Sequence, residues 1–219
     1  MIKALIFDFD GLIIDTEGVI FEVWEDFYQS YGQSIPRDSW LKCIGSTNAH
    51  FDPYTHLEET GGIKLIRKEV EERIRKTIEK RLRTEPLRPG VQDYLKEARS
   101  LGLPMAIASS SSLEWVTTLL NSHGIDHFFS VIKTKDHVSQ VKPSPELFLK
   151  AARGLSEKPE NTLVFEDSYH GVVAAHKAGS KCTAVPNFMT KTQDFSLADR
   201  VINSMEEIPL TKLISGIEG

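Results

Sequence analysis

The sequence predicts an α/β protein built on a parallel sheet, and three observations carry that reading. Short apolar runs recur along the chain: Lys3 to Asp8, Pro104 to Ala108, Thr162 to Phe165 and Cys182 to Val185, with a weaker one at Arg200 to Asn203. Continuous rather than alternating apolar character marks strands covered on both faces, as in parallel sheets. Between these runs lie stretches with helical periodicity, Val91 to Ser100, Leu113 to His123, Pro145 to Arg153 and Gly171 to Ala178. Strand–helix alternation is the pattern of a Rossmann-like core. The third observation is an interruption. From about Thr16 to Glu85 no strand is legible, and two helices are expected at Gly18 to Tyr31 and Ile63 to Arg83.

The division follows from these elements: residues 1–15 and 86–219 form the α/β core, and 16–85 an inserted helical domain. The stretch from Ile63 to Arg83 contains no Gly or Pro, and Ile66, Val70, Ile74, Ile78 and Leu82 fall on one face at near-four spacing. The chain returns to the core through Pro86-Leu87-Arg88-Pro89-Gly90, whose prolines stop a helix. Trp24, Phe27 and Tyr28 read as the buried stripe of the first inserted helix. The Lys and Arg of the second are interleaved with Glu69, Glu71, Glu72 and Glu79, with Glu71 and Arg75 in the favourable order, and read as a solvated face.

Composition excludes several classes. The 219 residues suffice for one large domain, or for a core with a smaller insertion. A net charge of -5 and a pI near 5.8 argue against nucleic-acid binding by bulk electrostatics. No run reaches the roughly 18 apolar residues that span a bilayer, and the apolar start is cut short by Asp8 and Asp10. The two cysteines, Cys43 and Cys182, have no metal-ligand spacing and suggest a reducing compartment. A cytoplasmic monomer is expected. The pairs His50/His56 and His123/His127 lack the further ligands that a metal site needs.

The polar residues of interest follow strand ends, where parallel sheets place their active sites. Asp8 and Asp10 follow the first strand, Ser109 and Ser110 the second, Glu166 and Asp167 the third. Two carboxylates that close are costly unless something positive neutralises them, and Mg²⁺, a hard oxygen-seeking cation, fits. One carboxylate can then attack phosphorus while the other serves as acid and base. The serine run before a helix suits phosphate oxygens, or a helix N-cap, and four successive serines allow both. Lys142, just before the helix that Pro145 helps to start, can hold a phosphoryl group or be an ordinary solvated charge.

Taken in order, Asp8-Phe9-Asp10-Gly11, Ser109, Lys142-Pro143 and Glu166-Asp167-Ser168, with Gly171 and Ala174-Ala175 behind, resemble the haloacid dehalogenase superfamily, and within it the β-phosphoglucomutase-like branch. The helical insertion resembles that family's cap domain. The resemblance implies a Mg²⁺-dependent phosphatase acting on a small phosphate monoester, such as a sugar phosphate, through an aspartyl-phosphate. It implies Asp8 as nucleophile and metal ligand, and Asp10 as general acid/base with its backbone carbonyl on the metal. Ser109, Ser110 and Lys142 would bind the phosphoryl group, and Asp167 and Glu166 the metal. The mutase branch carries a histidine where this chain aligns Ile20. It also carries a cap arginine where this chain reads Ile44-Gly45-Ser46-Thr47-Asn48. Hydrolysis is therefore expected over a sugar-phosphate mutase, and over a non-catalytic phospho-acceptor switch, which would be shorter and lack the insertion.

Overall fold

A computed structural model describes residues 1–41 and 51–219. Cys43, His50 and the stretch Ile44 to Asn48 lie outside the described residues. The chain divides into two compact units, Met1–Asp15 with Pro86–Gly219, and Thr16–Glu85.

The larger unit holds a six-stranded sheet, every pairing parallel: β1 (Ala4–Phe7), β2 (Met105–Ala108), β3 (Val131–Lys133), β4 (Thr162–Glu166), β5 (Lys181–Ala184) and β6 (Arg200–Val201). The order is β3-β2-β1-β4-β5-β6, the Rossmann order, whose ligand crevice lies where the strand sequence reverses, between β1 and β4. The register makes this concrete. Phe7 pairs with Ile107 on one side and Phe165 on the other, so Asp8 stands level with Ala108 and Glu166 at the carboxyl ends.

The smaller unit carries α1 (Thr16–Gln29), α2 (Arg37–Leu41), α3 (Pro53–Gly61) and α4 (Arg67–Leu82). Helices α1 and α4 pack together. Val19, Val23, Trp24, Phe27 and Tyr28 of α1, and Val70, Ile74 and Leu82 of α4, are buried, as the apolar stripes require. The stripe expected on α4 is corrected at one end. Ile66 is the N-cap residue, outside the helix, and is 64% exposed. The expected Glu71–Arg75 pair is replaced by Arg75–Glu79 at 2.7 Å and Lys76–Glu72 at 2.6 Å. Helix α3 escaped the sequence reading, though Asp52 caps it by accepting from Tyr54 N at 3.0 Å, with proline in its first turn.

The remaining helices belong to the core: α5 (Val91–Ser100), α6 (Leu113–Ser122), α7 (Glu146–Gly154), α8 (Tyr169–Ala178) and α9 (Leu210–Glu218). Alternation along each strand sends side chains to opposite faces. Ala4, Ile6, Ala106, Ala108 and Val164 pack against Leu147, Phe148, Ala151 and Ala152 of α7 and Val172, Ala174 and Ala175 of α8. On the other face Phe7 stacks on Phe165 with ring centroids 4.9 Å apart, and Tyr94 of α5 meets Phe165 edge-on at 5.5 Å. Burying each Val, Ile, Leu or Phe side chain among these contributes about 1.5–3 kcal/mol. Strand β3 was missed because it is a three-residue edge strand with only half-buried side chains, and so lacks the apolar run of a central strand. No helix among the described residues is long and apolar enough to cross a membrane.

Candidate active site

The site begins where β1 runs out of apolar residues. Asp8 is buried, its amide donating to Phe165 O at 2.9 Å, so the backbone ladder holds its side chain at the reversal point. Lys142 arrives from the loop before α7, through a cis peptide bond to Pro143. Its ammonium is buried and donates to Asp8 Oδ1 and, at 2.5 Å, to Glu166 Oε1. The ring of Phe148 lies 4.9 Å beneath it. Lys142 is thus no solvated charge; its nitrogen bridges two carboxylates from neighbouring strands.

Glu166 is fully buried. Its second oxygen accepts from Asp167 N at 3.0 Å, Ser168 N at 3.1 Å and Ser168 Oγ at 3.0 Å. Ser168 is also the N-cap of α8, accepting from Gly171 N at 3.1 Å. Gly171 is required by packing, because a Cβ there would overlap the Glu166 carboxyl. The Asp167 carboxylate accepts from Asn187 Nδ2 at 2.7 Å. Gly11 sits against it at φ +77°, where a side chain would be strained and would meet the Asp167 carboxyl.

Asp8, Glu166 and Asp167 each offer an oxygen within 4.8 Å of the others'. The charge balance around Lys142 is uneven. Burial raises the Asp8 carboxyl well above its usual range; Lys142 pulls it back down, while Glu166 and Asp10 push it further up. Burial opposes the charge on Lys142 as well, but the two carboxylates outweigh that and raise its pKa. One ammonium shared by two buried carboxylates, with Asp167 beside them, leaves surplus negative charge. Hard oxygen donors with surplus charge fit a divalent cation.

Asp10 belongs to a neighbouring network. Its Oδ1 accepts from the Trp115 indole Nε1 at 2.8 Å, and its Oδ2 from Ser111 Oγ at 2.6 Å and Ser109 Oγ at 3.2 Å. The serine run divides its labour. Ser109 is buried, Ser110 is exposed, and Ser112 caps α6 by accepting from Trp115 N at 3.3 Å. The geometry therefore groups Asp8, Lys142, Glu166 and Asp167 directly and ties Asp10 to Ser109, with Ser110 at the rim.

Sequence reasoning missed Asn187, Arg88 and Trp115. Asn187 Oδ1 accepts from Met189 N at 2.7 Å and Thr190 N at 3.0 Å, which aims its amide at Asp167 and, at 3.3 Å, at Gly11 O. Arg88 donates to Gly11 O at 2.6 Å and to Val185 O and Pro186 O at 3.0 Å each, tying the turn after β1 to the one after β5. The rule that selected Asp8, Ser109 and Glu166, polar residues just beyond a strand end, also selects Asn187. No sequence signal marks Arg88 or Trp115. Among the doubted histidines, His123 Nδ1 lies 2.8 Å from Leu119 O, and His56 Nδ1 3.2 Å from Tyr28 Oη.

The model of the haloacid dehalogenase-like hydrolases matches residues 5–185. The chain belongs to that family. It is 46% identical over 214 residues to YhcW of Bacillus subtilis, designated a candidate phosphatase, covering 98% of this chain and 97% of that protein. It is 31% identical to the phosphorylated carbohydrates phosphatase of Thermotoga maritima, over 81% of this chain and 82% of the other. The solved structure of CbbY from Rhodobacter sphaeroides in complex with phosphate is similar at a TM-score of 0.74 and 27% identity, covering 94% and 96% of the two chains. The chain is thus a hydrolase of this family, which sets aside the non-catalytic phospho-acceptor.

Proposed function

We propose that this chain is a divalent-metal-dependent phosphatase that hydrolyses a small phosphate monoester, of the sugar-phosphate class, through an aspartyl-phosphate on Asp8. The coarse activity is that of a HAD-type phosphoric monoester hydrolase. The observation that carries the finer reading is the buried Asp8 carboxylate at the β1–β4 reversal, bridged by Lys142 to Glu166 with Asp167 alongside. The phosphorylated-carbohydrate specificity named for the Thermotoga relative supports the substrate class.

Asp8 and Asp167, with the backbone carbonyl of Asp10, would hold Mg²⁺. Glu166, whose oxygens already serve Lys142 and the start of α8, would contribute directly or through water. The bound ion would neutralise charge on the site and the phosphoryl oxygens. Asp8 attacks phosphorus as the bond to the leaving alcohol breaks, and Asp10 gives that oxygen its proton. Water then attacks the acyl phosphate while Asp10 takes a proton back, releasing phosphate and restoring both carboxyls. Ser109 and Ser110 bind phosphoryl oxygens, and Lys142 offsets their charge. We assign the helical unit the role of a specificity-setting cap. The mutase reading is not favoured: Ile20 occupies the aligned histidine position, and Ile44 to Asn48, where that branch carries its arginine, contains none.

Phosphate release from a panel of monoesters, with Mg²⁺ or with EDTA, tests this. Metal-dependent release from sugar phosphates is expected, and Asp8→Asn should cut it by about 10³-fold or more. An Asp8→Asn protein with wild-type turnover would end the mechanism.

A further inference from the structure

Asp10 sits two residues beyond the nucleophile, yet its carboxyl is held by residues about a hundred positions away. Three donors converge on it, all from the β2–α6 segment: Ser109, Ser111 and Trp115. They are not equivalent. A serine hydroxyl donates or accepts as its hydrogen rotates, whereas an indole N–H only donates. The oxygen facing Trp115 therefore has to remain an acceptor throughout turnover. The oxygen facing Ser109 and Ser111 has partners that can reverse role when a proton arrives or leaves.

The indole is well placed to impose this. Trp115 is the third residue of α6, its backbone amide is held by the Ser112 N-cap, and its ring is half-buried. A rigid ring on a capped helix loses little freedom in making the bond. Ser109 is itself fixed, its Oγ accepting from Ser111 N at 3.0 Å. The carboxyl is thus gripped at one oxygen by a one-way donor and at the other by reversible ones.

We propose that Trp115 is a positioning residue for Asp10: its indole N–H occupies Oδ1 and leaves Oδ2, on the Ser109 side, as the oxygen that exchanges the proton with substrate and water. This rests on the phosphatase reading above. In the first step the P–O bond to the alcohol breaks, the Asp8–P bond forms, and the proton leaves Oδ2 for the alcohol oxygen. In the second, water attacks phosphorus, its proton goes to Oδ2, and the Asp8–P bond breaks. Trp115 touches neither substrate nor phosphorus.

The test compares leaving groups. An alkyl oxygen needs its proton to depart, whereas p-nitrophenolate leaves without one, so a misaligned acid slows only the former. Trp115→Phe is expected to slow single-turnover phosphorylation by a sugar phosphate from the panel by about 10- to 100-fold. The p-nitrophenol burst should stay within about 2-fold of wild type. On an Asp10→Ala background, Trp115→Phe should cost nothing further, since it acts only through that carboxyl. A readout independent of turnover is the indole N–H resonance in NMR. The protein has three tryptophans, Trp24, Trp40 and Trp115. The Trp115 signal, assigned by its loss in Trp115→Phe or by elimination with Trp24→Phe and Trp40→Phe, should move in Asp10→Ala.

Equal slowing of both esters, a full additional loss on the Asp10→Ala background, or an unmoved indole signal would each overturn the proposal. Failure of the underlying reading looks different: Asp8→Asn would then keep its turnover whatever Trp115 does.

Discussion

Two regions of the molecule use the same ions to opposite ends. Helix α4 is the most charged stretch of the chain, and its Arg75–Glu79 and Lys76–Glu72 pairs are well exposed. The Lys142–Asp8–Glu166 group has three charges, from segments far apart in sequence, and its side chains are at most 9% exposed. On α4, water competes for every ion, so each pair is worth a fraction of a kcal/mol. At the carboxyl ends of β1 and β4 there is little water to take over a lost partner, and each ion depends on the others. Density of charge along a sequence is thus a poor guide to chemistry; removal from water is what gives a charged group a task.

The largest effect should come from breaking the buried group. Lys142→Met strands Asp8 and Glu166 without their cation, and denaturant unfolding should show a loss of about 3–5 kcal/mol. Adding Glu166→Gln should recover part of that. A double variant no better than the single would show that the three ions do not act as a unit.

Next comes Gly171→Ala. An added methyl meets the Glu166 carboxyl inside a helix that otherwise favours alanine. Propensity predicts a gain and the clash a loss of about 1–3 kcal/mol. A lower Tm with reduced phosphate release is expected, and a raised Tm would mean Glu166 has room to move.

Glu146 is intermediate in exposure, its side chain 25% accessible. It accepts from Ser139 N at 2.9 Å and Gln140 N at 3.1 Å and pairs with Lys150 at 2.9 Å, bracing the loop that carries Lys142. The Lys150 hydrogen bond and those from the loop amides lower its carboxyl from 4.5 to about 2. A carboxyl depressed in the fold stabilises above its unfolded value and loses that contribution as pH falls towards its folded one. Melts run from pH 7 to 2 should therefore show a wild-type advantage over Glu146→Gln that shrinks below about pH 4.5. A constant gap would contradict the assignment.

The smallest effect belongs to α4. Arg75→Gln removes an exposed pair and should change stability by less than about 0.5 kcal/mol. A loss approaching that of Lys142→Met would erase the contrast between the regions.

Most of the core sheet was legible because central strands of a parallel sheet carry continuous apolar runs, as Ala4–Phe7, Met105–Ala108 and, within β4, Leu163 to Phe165 do. The edge strand β3 was not: Val131–Lys133 has half-buried residues that need not be apolar. Helix α9 also went unread; Glu97 of α5 holds its first amides, accepting from Leu210 N at 3.1 Å and Thr211 N at 3.0 Å, a contact with no local signature. Site residues next to strand ends could be named, while Trp115 and Arg88 could not, because their partners are fixed by topology alone.

By itself, then, the sequence determined the alternation of strands and helices and carried the motif residues by which the family is recognised, since both follow from local pattern. Only the tertiary structure decided that Lys142 lies between Asp8 and Glu166, that Asn187 and Arg88 tie down the turns around Asp167 and Gly11, and that an indole holds Asp10. Those contacts join residues from 20 to 176 positions apart. They exist because parallel strands bring their carboxyl ends together, and no local preference of either partner announces them.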